Sequence, residues 1–173
     1  NYLLDIGDWS DKNVSGTMTI SGKMLRNIVL GNDDSSAIVI SISSLILGSV
    51  PMLESLKLSN ISTLSGIVDL RNAGHIREVY ADGTSVTQIK LPSGSDITNL
   101  SYGSSNQYIV LNNQKQLTSV DYSQCKEAVT TFAVSDCPNL DAFSMLVDII
   151  DAQNQAGSLV LKGVRLQGIN YTS

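Results

Sequence analysis

Aromatic residues are scarce in this chain, with two Phe, six Tyr and one Trp among 173 residues. A core made with so few large rings has to be filled by Ile, Leu and Val, and it closes most readily when those residues recur on a lattice. Cysteine is scarcer still. Cys125 and Cys137 are too few for a disulfide-dense scaffold, and no Cys-x-x-Cys pair points to zinc or redox exchange. There is one histidine, His75, and its setting, Asn72-Ala73-Gly74-His75, reads as a solvated turn between strands. A Ser-His-Asp relay needs a histidine with a partner on each side, and neither a paired-His metal motif nor a Gly-rich phosphate loop accompanies it. No catalytic residue, metal ligand or cofactor is expected, so the chain reads as non-enzymatic.

Positive charge is also in deficit, with 11 Lys and Arg against 16 Asp and Glu, a formal net charge of −5. With no basic run to displace counterions, nucleic acid is not an expected partner. The longest apolar stretch, 37–50, is broken by serines and a glycine and is too short to span a bilayer. No membrane span is expected, and the domain reads as soluble. Asp5, Asp8 and Asp11 have a spacing that invites calcium, as does Asp33-Asp34. Neither carries the glycine and distal Glu of a calcium loop, and both read as solvated loops. Asn-x-Ser/Thr triplets at Asn13, Asn60, Asn99 and Asn170 are no more than the abundance of these residues produces. The sequence opens on Asn1 with no charged-then-apolar leader, as a fragment or a mature product would.

What the chain does have is a repeat. The template apolar-x-x-apolar-x-apolar fits at Leu53-Leu56-Leu58, Leu64-Ile67-Asp69, Ile76-Val79-Ala81, Val86-Ile89-Leu91 and Ile97-Leu100-Tyr102. It continues at Asn106-Ile109-Leu111, Leu117-Val120-Tyr122, Val129-Phe132-Val134 and Leu140-Phe143-Met145. Of 27 template positions 25 are apolar, in a chain that is 42% hydrophobic. Alternate residues of a strand share a face, so the second and third positions point inward together and the residue between them points out. Turn-forming clusters such as Ala81-Asp82-Gly83 and Pro92-Ser93-Gly94 separate the units. A spacing near 11 is too short for a full coil, so the units pair into turns starting near 53, 76, 97, 117 and 140. Strands near 56–58, 79–81, 99–102 and 119–122 should then stack in parallel, about 4.8 Å apart.

Leu117-Thr-Ser-Val120-Asp-Tyr122-Ser-Gln-Cys125 and Val129-Thr-Thr-Phe132-Ala-Val134-Ser-Asp-Cys137 both resemble the leucine-rich repeat signature L-x-x-L-x-L-x-x-N/C. The second runs into Pro138-Asn139-Leu140, as in family members with a Cys-Pro-x-Leu ending, and Val86-Thr-Gln-Ile89-Lys-Leu91-Pro92 resembles the Leu-Pro variants of bacterial surface proteins. Similar alternations occur in structural proteins of phages that infect gut bacteria. The resemblance covers roughly residues 51–145. Ile61, Thr84 and Ser105 fill the Asn/Cys position in the earlier turns, which departs from the family's asparagine ladder. It implies a mainly β, α/β-repeat fold: a right-handed leucine-rich-repeat-like solenoid with short parallel strands, about two per turn, and one C-terminal helix.

The whole of 1–173 reads as a single repeat domain, with 1–50 as a β-rich cap or early turns, 51–145 as the repeats and 139–173 as a helix plus a final strand. Ile42-Leu45-Leu47 also fits the template, so the array can begin before Leu53. Leu140, Phe143, Leu146, Val147 and Ile150 recur at helical spacing, which predicts an amphipathic helix over 139–153 on the convex side. Pro138-Asn139 would start it, Gly157 would stop it, and a strand at 158–161 would follow. Cys125 and Cys137 stand at a position usually filled by a small buried hydrophobe, about half a turn apart, which disfavours a disulfide.

In the paired scheme one set of strands shows Ser55, Lys57, Glu78, Tyr80, Asn99, Ser101, Ser119 and Asp121 outward, a mixed polar ladder suited to recognition. The other set shows Val68, Tyr108 and Val110 outward, a candidate interface. The expected function is a protein- or glycan-binding module of a cell-surface, secreted or phage-virion protein. The alternative is a structural spacer that assembles through lateral contacts between copies.

Overall fold

The computed structural model describes residues 14–31 and 40–169. Eleven strands and one helix are found there, and every strand pairing is parallel. The strands form the two walls of a β-solenoid of about five turns. One wall is a four-stranded sheet of three-residue strands: β2 (Asn27–Val29), β4 (Ser55–Lys57), β6 (Glu78–Tyr80) and β8 (Asn99–Ser101). A single bridge from Ser101 to Asp121 continues it by one turn. The expected parallel stack is therefore present, reduced at 119–122 to that one bridge.

The other wall has longer strands. β5 (Ser65–Asp69), β7 (Ser85–Lys90), β9 (Tyr108–Asn112), β10 (Thr131–Ser135) and β11 (Gly163–Gln167) form a five-stranded sheet, and β1 (Val14–Ile20) pairs with β3 (Ile40–Leu47). Thr63 Oγ1 and Ser65 Oγ donate to the carbonyls of Ile42 and Ser43, at 2.9 and 3.3 Å, so hydroxyls join β3 to the following turn.

The template describes the first wall well. Leu25-Ile28-Leu30, Leu53-Leu56-Leu58, Ile76-Val79-Ala81 and Ile97-Leu100-Tyr102 are all buried, each triplet stacked on the one before. The array therefore begins before Leu53, at Leu25 in this wall and through Ile42 and Leu45 in the other. Each fully buried Leu or Ile removes enough apolar surface from water to stabilise the fold by about 1.5–3 kcal/mol, and together these columns form one continuous core.

In the second wall the template fails at one turn, for a structural reason. The ladder between β5 and β7 shifts register between Gly66 and Ile67, and Gly66 has φ +78°. That left-handed conformation suits glycine and lets the strand rotate by one residue. Val68 and Leu70 turn inward, at 1% and 0% exposure, while Ile67 is left 49% exposed. The expectation that Val68 faces outward, and that Ile67 with Asp69 faces inward, is corrected accordingly. β1 has the same device, with a register shift after Gly16 at φ +85°.

Corners are held by residues that tolerate positive φ. Gly94, Asn113, Asp136 and Gly168 lie between +53° and +71°. The amides of the first three donate to Asn112, Ser135 and Gln167 of the next turn. Glycine, Asn and Asp are the residue types that enter this region at least cost. Asn112 also bridges Ser93 and Ser135 through its amide, at 3.0 and 2.9 Å, a short polar ladder along the same edge.

Helix α1 (Ala142–Gln155) interrupts the connection from β10 to β11. It starts three residues later than the predicted 139, because Asp141 is the cap: its carboxylate accepts from Ser144 N at 3.0 Å and Ser144 Oγ at 2.8 Å. Gly157 follows its end at φ +72°, as expected of a stop. Met145, Leu146 and Ile149 are buried, but Phe143 is 48% exposed and so is not the core residue the template made it. The last strand is 163–167, not 158–161. The amides of Val160 and Leu161 donate to Gln153 Oε1, which ties that stretch to the helix, and the ladder resumes when Lys162 N reaches Thr130 O.

Candidate functional site

The outer face of the four-stranded wall carries the polar ladder. Its side chains project from residues flanking each buried central position, Ile28, Leu56, Val79 and Leu100, so the parallel register stacks Ser55 on Glu78 on Asn99, and Lys57 on Tyr80 on Ser101. Contacts run along those columns. Ser55 Oγ donates to Glu78 Oε2 at 3.2 Å, and Asn99 Nδ2 reaches Glu78 Oε1 at 3.5 Å. Lys57 Nζ lies 5.4 Å from the centre of the Tyr80 ring, a cation–π contact that holds the ring at the surface.

The predicted residues are not equally available. Asn99, Ser119 and Asp121 are exposed, and Lys57, Glu78 and Tyr80 are half-buried. Ser55 and Ser101 are buried. Ser101 Oγ donates to Asp82 Oδ1 at 2.9 Å and accepts from Ala81 N at 3.1 Å, so its hydroxyl is spent inside the wall. Asp82 receives a second hydroxyl, Ser59 Oγ, at the same oxygen and distance. Asp121 Oδ1 accepts from Ser123 N and Ser123 Oγ, at 3.1 and 2.7 Å, in a local turn.

Two adjoining depressions cross this face and share Thr98. One, of about 630 Å³, is lined by Glu54, Ser55, Arg77, Glu78, Asp96 and Gln116 among others. The other, of about 340 Å³, lies between Tyr80, Asp82, Asn99, Ser119 and Asp121. The first brings in a column that the strand positions alone do not reveal. Arg26, Glu54, Arg77 and Thr98 stack through backbone bonds, Glu54 N to Arg26 O at 2.7 Å, Arg77 N to Glu54 O at 2.8 Å and Thr98 N to Arg77 O at 2.8 Å. The charges of the first three alternate, and Arg26 pairs with Glu54. The signal lay in the sequence two residues before each central apolar position, at 26, 54, 77 and 98.

The second wall offers less. Tyr108 is half-buried and Val110 is 41% exposed, both outward as expected, whereas Val68 lies inside. Val164 at 52%, Ile46 at 50% and Ile67 at 49% are the other large exposed apolar residues described in it.

The remaining candidates stay apart from these faces. His75 is exposed in a turn. Cys125 and Cys137 are buried free thiols, and burial pushes the Cys125 thiol up to about 12. Among the described residues no group of three or more His, Cys, Asp or Glu is placed to hold a metal, and no helix is long and apolar enough to cross a membrane. Asp5, Asp8, Asp11 and Asp33-Asp34, together with Asn13 and Asn170, fall outside the described residues.

No family model, no curated protein and no solved structure matches the chain. What stands is the repeat solenoid itself.

Proposed function

We propose that this chain is a non-enzymatic binding module of the leucine-rich type that takes a protein or glycan partner on the outer face of its four-stranded wall. The observation that carries the reading is the composition of that face. An aromatic ring held by Lys57, a row of hydrogen-bonding side chains and two adjoining depressions lie on one rigid ladder. Tyrosine supplies contact area with a polar tip, and short amides and hydroxyls supply direction, the usual ingredients of a recognition surface. Rigidity favours binding because less side-chain freedom is lost on contact. A cell-surface, secreted or virion setting goes with this reading, as a solenoid wall displays such a face to large partners.

The test is a glycan and peptide array probed with the wild-type chain and with Tyr80→Ala and Asn99→Ala. Binding by the wild type that both variants weaken at least tenfold supports the proposal. Binding that both variants retain, or none by the wild type, counts against it.

The exposed Ile46, Ile67 and Val110 favour a second reading, in which the other wall makes lateral contacts between copies of the chain. Light scattering separates the two: the first predicts a monomer, the second a defined oligomer that Ile67→Asp dissociates.

A further inference from the structure

The inward columns of the second wall run from strand to strand, and one of them ends in the open. Val68, Ile89, Ile109, Phe132 and Val164 stack in register from β5 to β11. The first four are 1%, 2%, 0% and 0% exposed, whereas Val164 is 52% exposed. Leu166 stands in the companion column, where it is half-buried while Leu111 and Val134 beneath it are buried. Position makes the difference, because an inward residue is sealed only when a turn lies on each side of it. Val164 has β10 on one side, and among the described residues β11 pairs with no other strand.

The backbone of β11 is open along the same edge. Gly163 N donates to Thr130 O and Gln167 O accepts from Asp136 N, so residues 163 and 167 turn their peptide groups toward β10. Alternate residues of a strand address opposite edges, which leaves the N–H and C=O of Val164 and Leu166 facing away from β10. Between these two, Arg165 points outward and is exposed. Its guanidinium donates to Gln167 Oε1 and forms no ion pair among the described residues, although Asp136 lines the same outer depression. That cation decides between occupants. A second copy pairing antiparallel through its own β11, with Val164 set against Leu166, would bring Arg165 opposite Arg165, and like charges directly opposite are destabilising. A strand with a carboxylate at that place meets no such conflict.

We propose that the free edge of β11 is a docking site for an extended segment of another protein, which adds to the five-stranded sheet as a further parallel strand and carries the pattern apolar–acidic–apolar. Its two apolar side chains continue the columns over Val164 and Leu166, and its carboxylate lies beside Arg165. In strand addition the main-chain hydrogen bonds supply affinity and the alternate side chains supply specificity. This site is separate from the outer face of the four-stranded wall.

The test is an NMR titration of the isotope-labelled full chain with two peptides of about nine residues, one with Val-Glu-Leu at its centre and one with Val-Lys-Leu. The expected result is a shift of the Val164 and Leu166 amides, with the Glu peptide binding roughly threefold or more tightly than the Lys peptide. Arg165→Glu should reverse that preference, and Val164→Asp should abolish binding of both. Tyr80→Ala should leave both titrations unchanged, so failure here and failure of the polar face are told apart. No shift at β11, equal binding of the two peptides, or a preference that Arg165→Glu leaves in place overturns the proposal. Shifts at β11 that appear on concentrating the protein alone would make a second copy the occupant, and would overturn it too.

Discussion

The two walls of this solenoid obey one inward rule and differ in almost everything that faces out. In the first wall three residues per turn suffice. A single central apolar residue points in, and the column outside it is polar, alternately charged and tied together along the stack. In the second wall the strands run to five residues or more, glycine bulges reset the register at β1 and β5, and isolated Ile and Val side chains remain at the surface. Packing determines the inner positions of both walls, because any polar intrusion there must find a partner. It leaves the outer positions free; a depression lies on the outside of each wall, and in the first wall it adjoins a pinned aromatic ring and a charged column.

The bulge is where this contrast is easiest to break. Val68→Asp should destabilise the fold by about 3 kcal/mol or more, since it buries a charge without a partner. Ile67→Asp, one residue away, should change stability by no more than about 0.5 kcal/mol. Equal effects in chemical denaturation would place the bulge wrongly.

The second wall is also the one that depends on a buried clamp. Gln153 donates to Lys126 O and Val129 O, at 3.0 and 2.8 Å, and accepts from Val160 N and Leu161 N, at 2.9 and 3.0 Å. Gln153→Leu leaves four backbone groups unpaired and should cost about 2–4 kcal/mol. Hydrogen exchange should show protection lost first at β11 and around the end of α1, with the amides of β4, β6 and β8 unaffected. Uniform loss of protection would mean that the walls do not differ in this way.

Gly66→Val is the next smaller effect, about 1–2 kcal/mol, because its φ of +78° penalises a branched side chain although nothing lies within 4 Å of an added Cβ. Thermal melts of Gly66→Val and Gly66→Ala, compared with Gly74→Ala at an open site of ordinary φ, check it. A Gly66→Val loss no larger than that at Gly74 would remove strain as the explanation.

The smallest expected effect concerns pH. Hydrogen bonds from Arg71 hold Asp69 below the usual carboxylate range, those from Ser144 do so for Asp141, and that from Lys126 does so for Asp148. The stability these groups contribute is complete above about pH 4 and drains away as pH falls through their lowered native values. Asp148→Asn should flatten the acid limb of the stability curve slightly, and an unchanged limb would argue against a linked proton there.

Much of the first wall was legible because its signal is redundant: apolar columns, polar flanks and turn residues all repeat in phase. The bulged turn was not, because a fixed template reads Leu64-Ile67-Asp69 through the inserted rotation. Yet Val14-Ser-Gly-Thr-Met-Thr-Ile20 and Leu64-Ser-Gly-Ile-Val-Asp-Leu70 are alike, and the shared Ser-Gly marks both bulges. The column at Arg26, Glu54, Arg77 and Thr98 escaped because it precedes the strand positions on which outward residues were sought. Gln153 escaped for a different reason. A polar residue on a helix reads as solvent-facing, and only the tertiary stack shows four backbone groups converging on it.

The solenoid and its polar face both depend on the register of the first wall. Backbone NOEs in the isotope-labelled chain measure it directly. In-register parallel stacking predicts contacts joining Leu56 to Val79 and Val79 to Leu100, with Lys57 beside Tyr80 and Ser55 beside Glu78. Contacts that instead run Lys57 to Glu78 and Ser55 to Tyr80, as antiparallel neighbours would, contradict both the solenoid and the face built on it.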